Sequence, residues 1–452
     1  MKLMTTYRPD DIRNIALLGP QGVGKTTLAE ALLMRTGAIA RMGSIAEATT
    51  VGDFDSESRR HHFSTQSTLL YGAWEGREIN VIDTPGHPEL VGQALAVLPA
   101  VETAVLVVDA VLGVDAHARR LFDAAGTLGL ARMVVVNRID QAAADLPYLL
   151  ASLRTDLGPN LHCITLPVRS RTDVIDCFDH DVGHSDFGSV ADVHRAMLES
   201  TIEVDDAEVE RYFAGEKIDL QALRRCFVQA MIQGHVIPVL FTASRTGVGV
   251  AALLHMLAAE GPSPASARPR PYLRAGAPVA LGCDASAPLL GHIFKVTTDP
   301  KLGRLAMVRI LQGTLEGTST FVVTEGHTGS ARPSATPAAE RKPHRANQVL
   351  KIEGAEWHEL GVPASAGDIV ALSRVEGLRV GELLHSPAIA DDIGLVAPTL
   401  PDASAALLIE AAEKRDAGKL GVALAHLVEE DPTLHLEVDP EGHGHLVRGL
   451  GP

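Results

Sequence analysis

Apolar residues recur along the first third of this chain in two alternating rhythms. RNIALLG, EINVID, TAVLVVD and RMVVVN are β-branched runs of strand length. Between them, LAEALLMRTG and the segment from Val114 to Leu130 space apolar positions three and four apart, as one helix face requires. Strands alternating with helices over residues 13–140 predict a mostly parallel sheet covered on both faces. VIPVLFTA (236–243) fits the same sheet. The stretch from about 141 to 235 lies between two of its strands and is too long for a loop, which predicts an inserted subdomain.

The rhythm changes after residue 260. GPSPASARPRP (261–271) is rich in Pro and Ser and reads as an interdomain linker. HIFKVTTD, RLAMVRIL, TSTFVVTE and IVALSRV follow as strand-like runs separated by glycine turns, so residues 272–390 predict a small β-barrel. Inside it, residues 327–345 are poor in hydrophobics and predict a mobile loop. From about 395 to 452 a third unit is predicted. Leu420, Ala423, Leu424, Leu427 and Val428 have helical spacing, and Asp431-Pro432 ends the helix. One strand precedes it, and HLEVD and HLVRGLG follow as a hairpin, giving strand-helix-strand-strand with one sheet face uncovered.

Composition narrows the class. A chain of 452 residues needs more than one core. Its 46% hydrophobic and 21% charged content is that of a soluble globular protein, with no run long enough to span a bilayer. The most apolar stretch is broken by Asp109 and Asp115. MKLMTTYRPDDIRN lacks the apolar segment of a secretory signal. Cys163, Cys177, Cys226 and Cys283 are far apart and read as free thiols in a reducing cytoplasm. A net charge of −16 argues against non-specific coating of DNA or RNA, and leaves local basic surface open.

Three short stretches carry chemistry. Gly19-Pro20-Gln21-Gly22-Val23-Gly24-Lys25-Thr26 follows a predicted strand and opens a predicted helix, in the pattern GxxxxGK[ST]. Backbone N–H groups of such a loop can surround phosphate oxygens; Lys25 would reach the β- and γ-phosphates, and the Thr26 hydroxyl would ligate Mg²⁺. Asp83-Thr84-Pro85-Gly86-His87 ends a predicted strand. Asp83 can hold magnesium through water, and Gly86 can offer its N–H to the γ-phosphate. On its own, His87 reads as a surface histidine after a Pro-Gly turn. Asn137-Arg138-Ile139-Asp140 ends another strand. A buried Asp140 carboxylate would accept two hydrogen bonds from guanine that adenine cannot donate. The three stretches in this order predict a GTP-binding domain.

The sequence resembles the translational GTPases, and most closely elongation factor G. ESTIEVDDAEVERYFAGEKIDLQALRRCFVQAMIQGHVIPVLFTAS is similar to the end of that family's inserted subdomain and its last guanine-contacting box. HIFKVTTDPKLGRLAMVRILQGTLEGTSTF and SAGDIVAL resemble its β-barrel second domain. EKRDAGKLGVALAHLVEEDPTLHLEVDPEGHGHLVRGLG resembles the start of its third, a ferredoxin-like α+β domain. The implied fold is a P-loop GTPase domain (1–260), a linker, a β-barrel, and a partial α+β domain. The resemblance implies that His87 orients the attacking water, that Asn137 and Asp140 hold guanine, and that Ala243 and Ser244 stand where a backbone N–H reads the guanine carbonyl. It also implies GTP and GDP as ligands, Mg²⁺ as cofactor, a cytoplasmic monomer, and a ribosome (its RNA and proteins) as the partner that accelerates hydrolysis, with no membrane or DNA partner.

The chain departs from the family in places. Arg138 replaces the usual lysine, and Gly22-Val23 stand where elongation factor G carries an aspartate shortly before the loop's lysine. A signature close to RGITI, whose threonine closes over Mg²⁺, is matched by His61-His62-Phe63-Ser64-Thr65, so Ser64 takes the threonine's place as a metal ligand. This variation is like that of the elongation-factor-G-like paralogues. The third domain breaks off at Gly449-Leu450-Gly451-Pro452, so the resemblance extends to the family's N-terminal portion only. A GTP-binding module or regulatory paralogue without turnover is the alternative, and a ribosome-protection factor of the tetracycline-resistance type fits less well. Asp179, His180, Asp181 and His184, and the pair His443 and His445, read as surface residues rather than metal sites. The acids from Glu203 to Glu210 read as a solvated helix face. Arg59 and Arg60 could touch RNA or simply keep a loop soluble.

Overall fold

A computed structural model describes residues 7–274, 277–324, 343–389, 393–396, 398–438 and 444–451. The first unit runs β1 (Ile12–Leu18), α1 (Lys25–Thr36), α2 (Ser56–His61), β2 (Thr68–Trp74), β3 (Arg77–Asp83), α3 (Val91–Val97), β4 (Thr103–Asp109), α4 (Ala116–Thr127), β5 (Ala131–Asn137), α5 (Leu146–Leu157) and β6 (Leu161–Cys163). It continues with the hairpin β7 (Thr165–Val168) and β8 (Asp173–Asp176), then α6 (Val190–Ile202), α7 (Asp206–Phe213), α8 (Leu220–Gln233), β9 (Ile237–Phe241) and α9 (Val250–Ala259). The main sheet has the order β2-β3-β1-β4-β5-β9-β6, with only β2 antiparallel to its neighbour.

Period-two alternation sorts the strand side chains onto two faces. Ile15, Leu17, Val105 and Val107 face a core built with Leu28 and Leu32 of α1 and Leu253 and Leu257 of α9. Ala16, Leu18, Leu106 and Val108 face the other, with Leu95 of α3 and Phe122 of α4. Both faces are covered, which is why these strands read as unbroken apolar runs.

The stretch 141–235 is not wholly an insertion. Helix α5 and strand β6 form a crossover unit of the main sheet, with β6 parallel to β9 at its edge. The inserted part begins at β7 and ends with α8. Leu161-His162-Cys163 is too short and too mixed to announce itself as a strand; its pairing with β9 makes it one.

Residues 261–271, read as a linker, are packed in place. Ser263 is buried and exchanges hydrogen bonds with Ser266, while Arg270 donates to the Leu98 carbonyl and to Glu102. The barrel unit comprises β10 (Pro271–Arg274), β11 (Ala277–Ala280), β12 (Leu290–Asp299), β13 (Gly303–Gln312), β14 (Thr314–Leu315), β15 (Thr320–Thr324), β16 (His344–Arg345), β17 (Gln348–Glu353), β18 (Glu356–Glu359), β19 (Ala364–Ser365), β20 (Ile369–Ser373), β21 (Leu383–His385) and β22 (Ile393–Leu395). Eight of these form an antiparallel sheet of order β16-β15-β21-β12-β13-β20-β17-β18 around Ile293, Val308, Phe321 and Val370. Of the loop expected at 327–345, residues 327–342 lie outside the described residues; His344 and Arg345 pair with β15.

Buried ions join barrel and sheet. Glu102 accepts from Asn14 (2.8 Å), Arg309 (2.8 Å) and Arg270 (3.1 Å). Lys351 reaches both Glu78 and Asp368. Burial opposes its charge, but the two carboxylates outweigh that and raise its pKa. The last unit is β23 (Ala405–Ile409), α10 (Ala417–Glu430), β24 (His435–Val438) and β25 (His445–Gly449), with sheet order β23-β25-β24. Arg304 of β13 bridges Glu429 and Glu430 of α10. Leu407 and Leu408 are about half exposed.

Candidate nucleotide site

The loop from Gly19 to Thr26 joins β1 to α1 through three glycines with left-handed backbone. Gly19 (φ 134°) and Gly24 (φ 92°) are also hemmed in: a Cβ would lie 2.5 Å from the Val107 carbonyl oxygen in one case and 2.5 Å from Asn137 Nδ2 in the other. Only glycine tolerates both constraints. Lys25 Nζ donates to the Gly19 and Pro20 carbonyls at 2.8 and 2.9 Å, folding the loop around its own ammonium. Pro85 and Gly86 approach from β3, and a Cβ on Gly86 would lie 2.4 Å from Lys25 Nζ and 2.5 Å from the Gln21 nitrogen. The hydroxyl of Thr84 anchors that turn on the Leu17 carbonyl at 2.6 Å.

Beside Lys25, four oxygen-bearing side chains converge. Thr26 Oγ1 donates to Asp83 Oδ2 at 2.6 Å and lies 3.1 Å from Ser64 Oγ. Ser64 also faces the Asp53 carboxylate, where its hydroxyl opposes the effect of burial. Among the described residues, Asp83 Oδ1 and Asp53 Oδ2 are buried with no hydrogen-bond partner. Burial pushes the Asp83 carboxyl up to about 7 against the pull of Lys25 and Thr26, and pushes Lys25 down to about 8 against Asp83 and Asp53. Burial likewise raises Asp53. Two orphaned carboxylate oxygens beside two hydroxyls make an all-oxygen donor set, which suits a hard divalent cation such as Mg²⁺.

The expected base-recognition residues sit at the ends of β5 and β9. Asn137 is buried; its Nδ2 donates to the Val23 carbonyl (3.0 Å), and its Oδ1 accepts from the Ser244 hydroxyl (2.7 Å) and backbone N–H (3.0 Å). Arg138 has a left-handed backbone (φ 62°), and its guanidinium pairs with Asp109 at 2.9 Å. Ile139 is buried, whereas Asp140 is exposed, in contrast with the buried carboxylate that guanine selection asks for. Ala243 and Ser244 are buried here too. Both of their N–H groups already have acceptors, the Val248 carbonyl and Asn137 Oδ1, so reading a carbonyl through either requires an exchange of partners.

Comparison with known proteins fits this arrangement. Residues 10–263 match the family of the elongation factor Tu GTP-binding domain, and residues 400–452 match elongation factor G domain III. The chain belongs to the translational GTPases. Elongation-factor-G-like proteins of two Mycobacterium tuberculosis strains, CDC 1551 / Oshkosh and H37Rv, are 32% identical over 97% of this chain. The chain spans 63% of their length. A crystal structure of a Thermus thermophilus protein superposes with a TM-score of 0.81 at 29% identity, covering 98% of this chain and 64% of that one.

In this translational GTPase the stretch SRRHHFSTQ (58–66) is the end of α2 and the turn that follows it, closed on itself. Asp55 caps α2, Ser58 Oγ lies 2.9 Å from Thr65 Oγ1, and the Thr65 N–H donates to Ser58 Oγ at 2.9 Å. Ser64 is thereby turned to Thr26. Its neighbour Phe63 stacks on the imidazole of His87, with ring centroids 5.7 Å apart and planes 17° from parallel. His87 Nδ1 accepts from the Glu89 N–H at 3.4 Å. Sequence reasoning missed Asp53, and also His117 at the start of α4. Burial lowers the pKa of His117, which lies within the fields of Asp115, Lys25, Arg120 and His87, and its Nε2 is buried without a partner among the described residues. Neither has a local signature, since each acquires its place from residues far along the chain. Among the described residues no cluster of three or more His, Cys, Asp or Glu could hold a metal, so the loop from Asp179 to His184 gathers none.

Proposed function

We propose that this chain binds GTP with Mg²⁺ and hydrolyses it to GDP and phosphate on the ribosome, as part of a cytoplasmic elongation-factor-G-like translation factor. The supporting observation is the convergence of Thr26, Asp83, Asp53 and Ser64 beside a glycine loop on which Gly86 closes. In this reading the loop's N–H groups from Gln21 to Thr26 wrap the phosphates, and Lys25 exchanges its two carbonyls for phosphate oxygens. Asn137 and Asp140 orient guanine. Thr26 and Asp83, joined by Ser64, would hold Mg²⁺, which supplies charge neutralisation between β- and γ-phosphates. His87 leaves the face of Phe63 and turns to the attacking water when the ribosome positions it. Phosphoryl transfer then proceeds by positioning and charge stabilisation.

A second reading, a GTP-binding module without turnover, draws on the His87 ring lying flat on Phe63 with Nδ1 engaged by Glu89. One assay separates the two. Phosphate release from GTP is measured with and without ribosomes, in the unmodified chain and in His87→Ala. Ribosome-stimulated release that is lost in the variant supports hydrolysis; tight GTP binding with no release under either condition sinks it.

A further inference from the structure

Asp53 reaches the cation site at the end of a stretch that leaves α1 at Thr36 and closes a small loop on its way. Within that loop the Ser44 N–H donates to Thr49 Oγ1 at 2.9 Å, and the Thr49 N–H donates back to the Ser44 carbonyl at 3.0 Å. A Cβ on Gly43 would lie 2.4 Å from the Thr49 carbonyl oxygen, so the two ends of the loop meet backbone to backbone.

One side chain holds both ends. Glu30 of α1 is 1% exposed. Its Oε2 accepts from the Gly43 N–H at 2.7 Å, and its Oε1 accepts from the Val51 N–H at 2.6 Å. A carboxylate so deeply buried is tolerated only when its charge is hydrogen-bonded, and bonds this short are of the charge-assisted kind. Glu30 stands one helical turn beyond Thr26, on the same face of α1. The helix itself therefore sets the spacing between this clamp and the cation site.

The residues after Val51 use that spacing. A Cβ on Gly52 would lie 3.6 Å from Thr26 Cγ2 and 3.8 Å from Asp83 Oδ2. Asp53 comes next, with one of the two orphaned carboxylate oxygens. From the far side, Thr68 donates to the Gly52 carbonyl at 2.9 Å and Arg59 to the Asp53 carbonyl at 3.2 Å. A Cβ on Gly354, between β17 and β18, would lie 2.5 Å from the Val51 carbonyl oxygen, so the barrel backs the same residue. Each of these bonds joins two groups of the chain itself.

We propose that Glu30 is a positioning residue, whose carboxylate seats Asp53 at the cation site ahead of the nucleotide and alike for GDP and GTP. The stretch between α1 and β2 then has a fixed part, residues 43–53, and a part around Ser64 that answers to the γ-phosphate. The positioning role rests on the proposed binding of GTP with Mg²⁺; the clamp itself does not.

Glu30→Gln keeps the shape and one acceptor, but turns an amide N–H toward one of the two backbone N–H groups. Gly43→Ala strains the same clamp from the loop side and leaves Glu30 intact. Hydrogen exchange of the whole nucleotide-free chain should find the Gly43 and Val51 amides protected. In either variant both should lose protection, with β1 and β4 unchanged. A Mg²⁺ titration of fluorescent GDP and of a non-hydrolysable GTP analogue should show the midpoint raised roughly tenfold or more in both variants, and for the two nucleotides to within about twofold of each other. Saturating Mg²⁺ should restore affinity, which a damaged fold would not allow. An unmoved midpoint overturns the positioning role, and a loss confined to the GTP analogue overturns the fixed part. Loss of protection in β1 and β4 as well would make Glu30 a residue of the fold alone; if Glu30→Gln does not fold, Gly43→Ala carries the test. A chain that binds no guanine nucleotide would overturn the proposed function and leave the exchange result standing.

Discussion

Ser64→Ala tests whether the unusual loop still closes on the cation. Ser64 Oγ sits 3.1 Å from Thr26 Oγ1 and faces the Asp53 carboxylate, so truncation strips a hydroxyl from beside two groups already withdrawn from water. A hydrogen bond to a charged group is worth about 1.5–3 kcal/mol. At about 1.4 kcal/mol per tenfold, affinity for a non-hydrolysable GTP analogue should fall by roughly ten- to a hundredfold. The loss should be greatest at low Mg²⁺, and GDP binding should change less, because the segment bearing Ser64 closes over the γ-phosphate in the proposed reading. Ser64→Thr keeps the hydroxyl and should stay near the unmodified value. The assay is a Mg²⁺ titration of fluorescent GTP-analogue and GDP binding, followed by phosphate release. Unchanged Mg²⁺ dependence and unchanged hydrolysis in Ser64→Ala would remove Ser64 from the mechanism. An equal loss of both nucleotides would reassign it to holding the loop alone.

Other perturbations reach different parts of the molecule. The Asp83 carboxyl is pushed up to about 7 by burial, so the folded chain prefers it protonated and loses stability as pH rises from about 4 to about 7. Asp83→Asn should therefore gain in thermal stability relative to the unmodified, nucleotide-free chain across that window, by roughly 2–4 kcal/mol at its upper end; a pH-independent difference refutes this. His87→Ala should leave GTP affinity within about twofold and lower ribosome-stimulated phosphate release by roughly 10²–10⁴, the range of positioned proton-transfer groups. Loss of GTP binding would instead make His87 structural. Lys351→Met leaves Glu78 and Asp368 buried without their cation and should cost about 3–5 kcal/mol in urea unfolding; a change under about 1 kcal/mol would show the pair to be solvated.

The parts that the sequence announces are those made of neighbours in the chain. β1, β4 and β5 are buried on both faces and so are continuously apolar, and the glycine loop needs its special residues at fixed spacing because the backbone itself does the binding. What sequence could not announce is built across distance. β6 becomes a strand only by lying beside β9. Glu102 looks like an ordinary acid until Asn14, Arg270 and Arg309 converge on it from 88, 168 and 207 residues away. The packed state of residues 261–271 has the same origin, since Pro and Ser content reports local stiffness and polarity and says nothing of an Arg270 that reaches Glu102 and the Leu98 carbonyl.

SRRHHFSTQ shows where local reading ends. Its paired histidines lie at the surface, where His61 pairs with Glu57 and His62 lies near the Ile45 carbonyl. The informative residues are the next two. Phe63 lies against His87, and Ser64 lies against Thr26. They are adjacent in the chain, and the Ser58–Thr65 bonds close the loop behind them. A shift that brings Ser64 onto a cation at Thr26 and Asp83 must therefore move Phe63 across the histidine. One peptide step thus joins occupancy of the cation site to the freedom of His87, and Phe63→Ala should uncouple the two: it removes the ring that covers His87 and leaves the Ser64 hydroxyl in place.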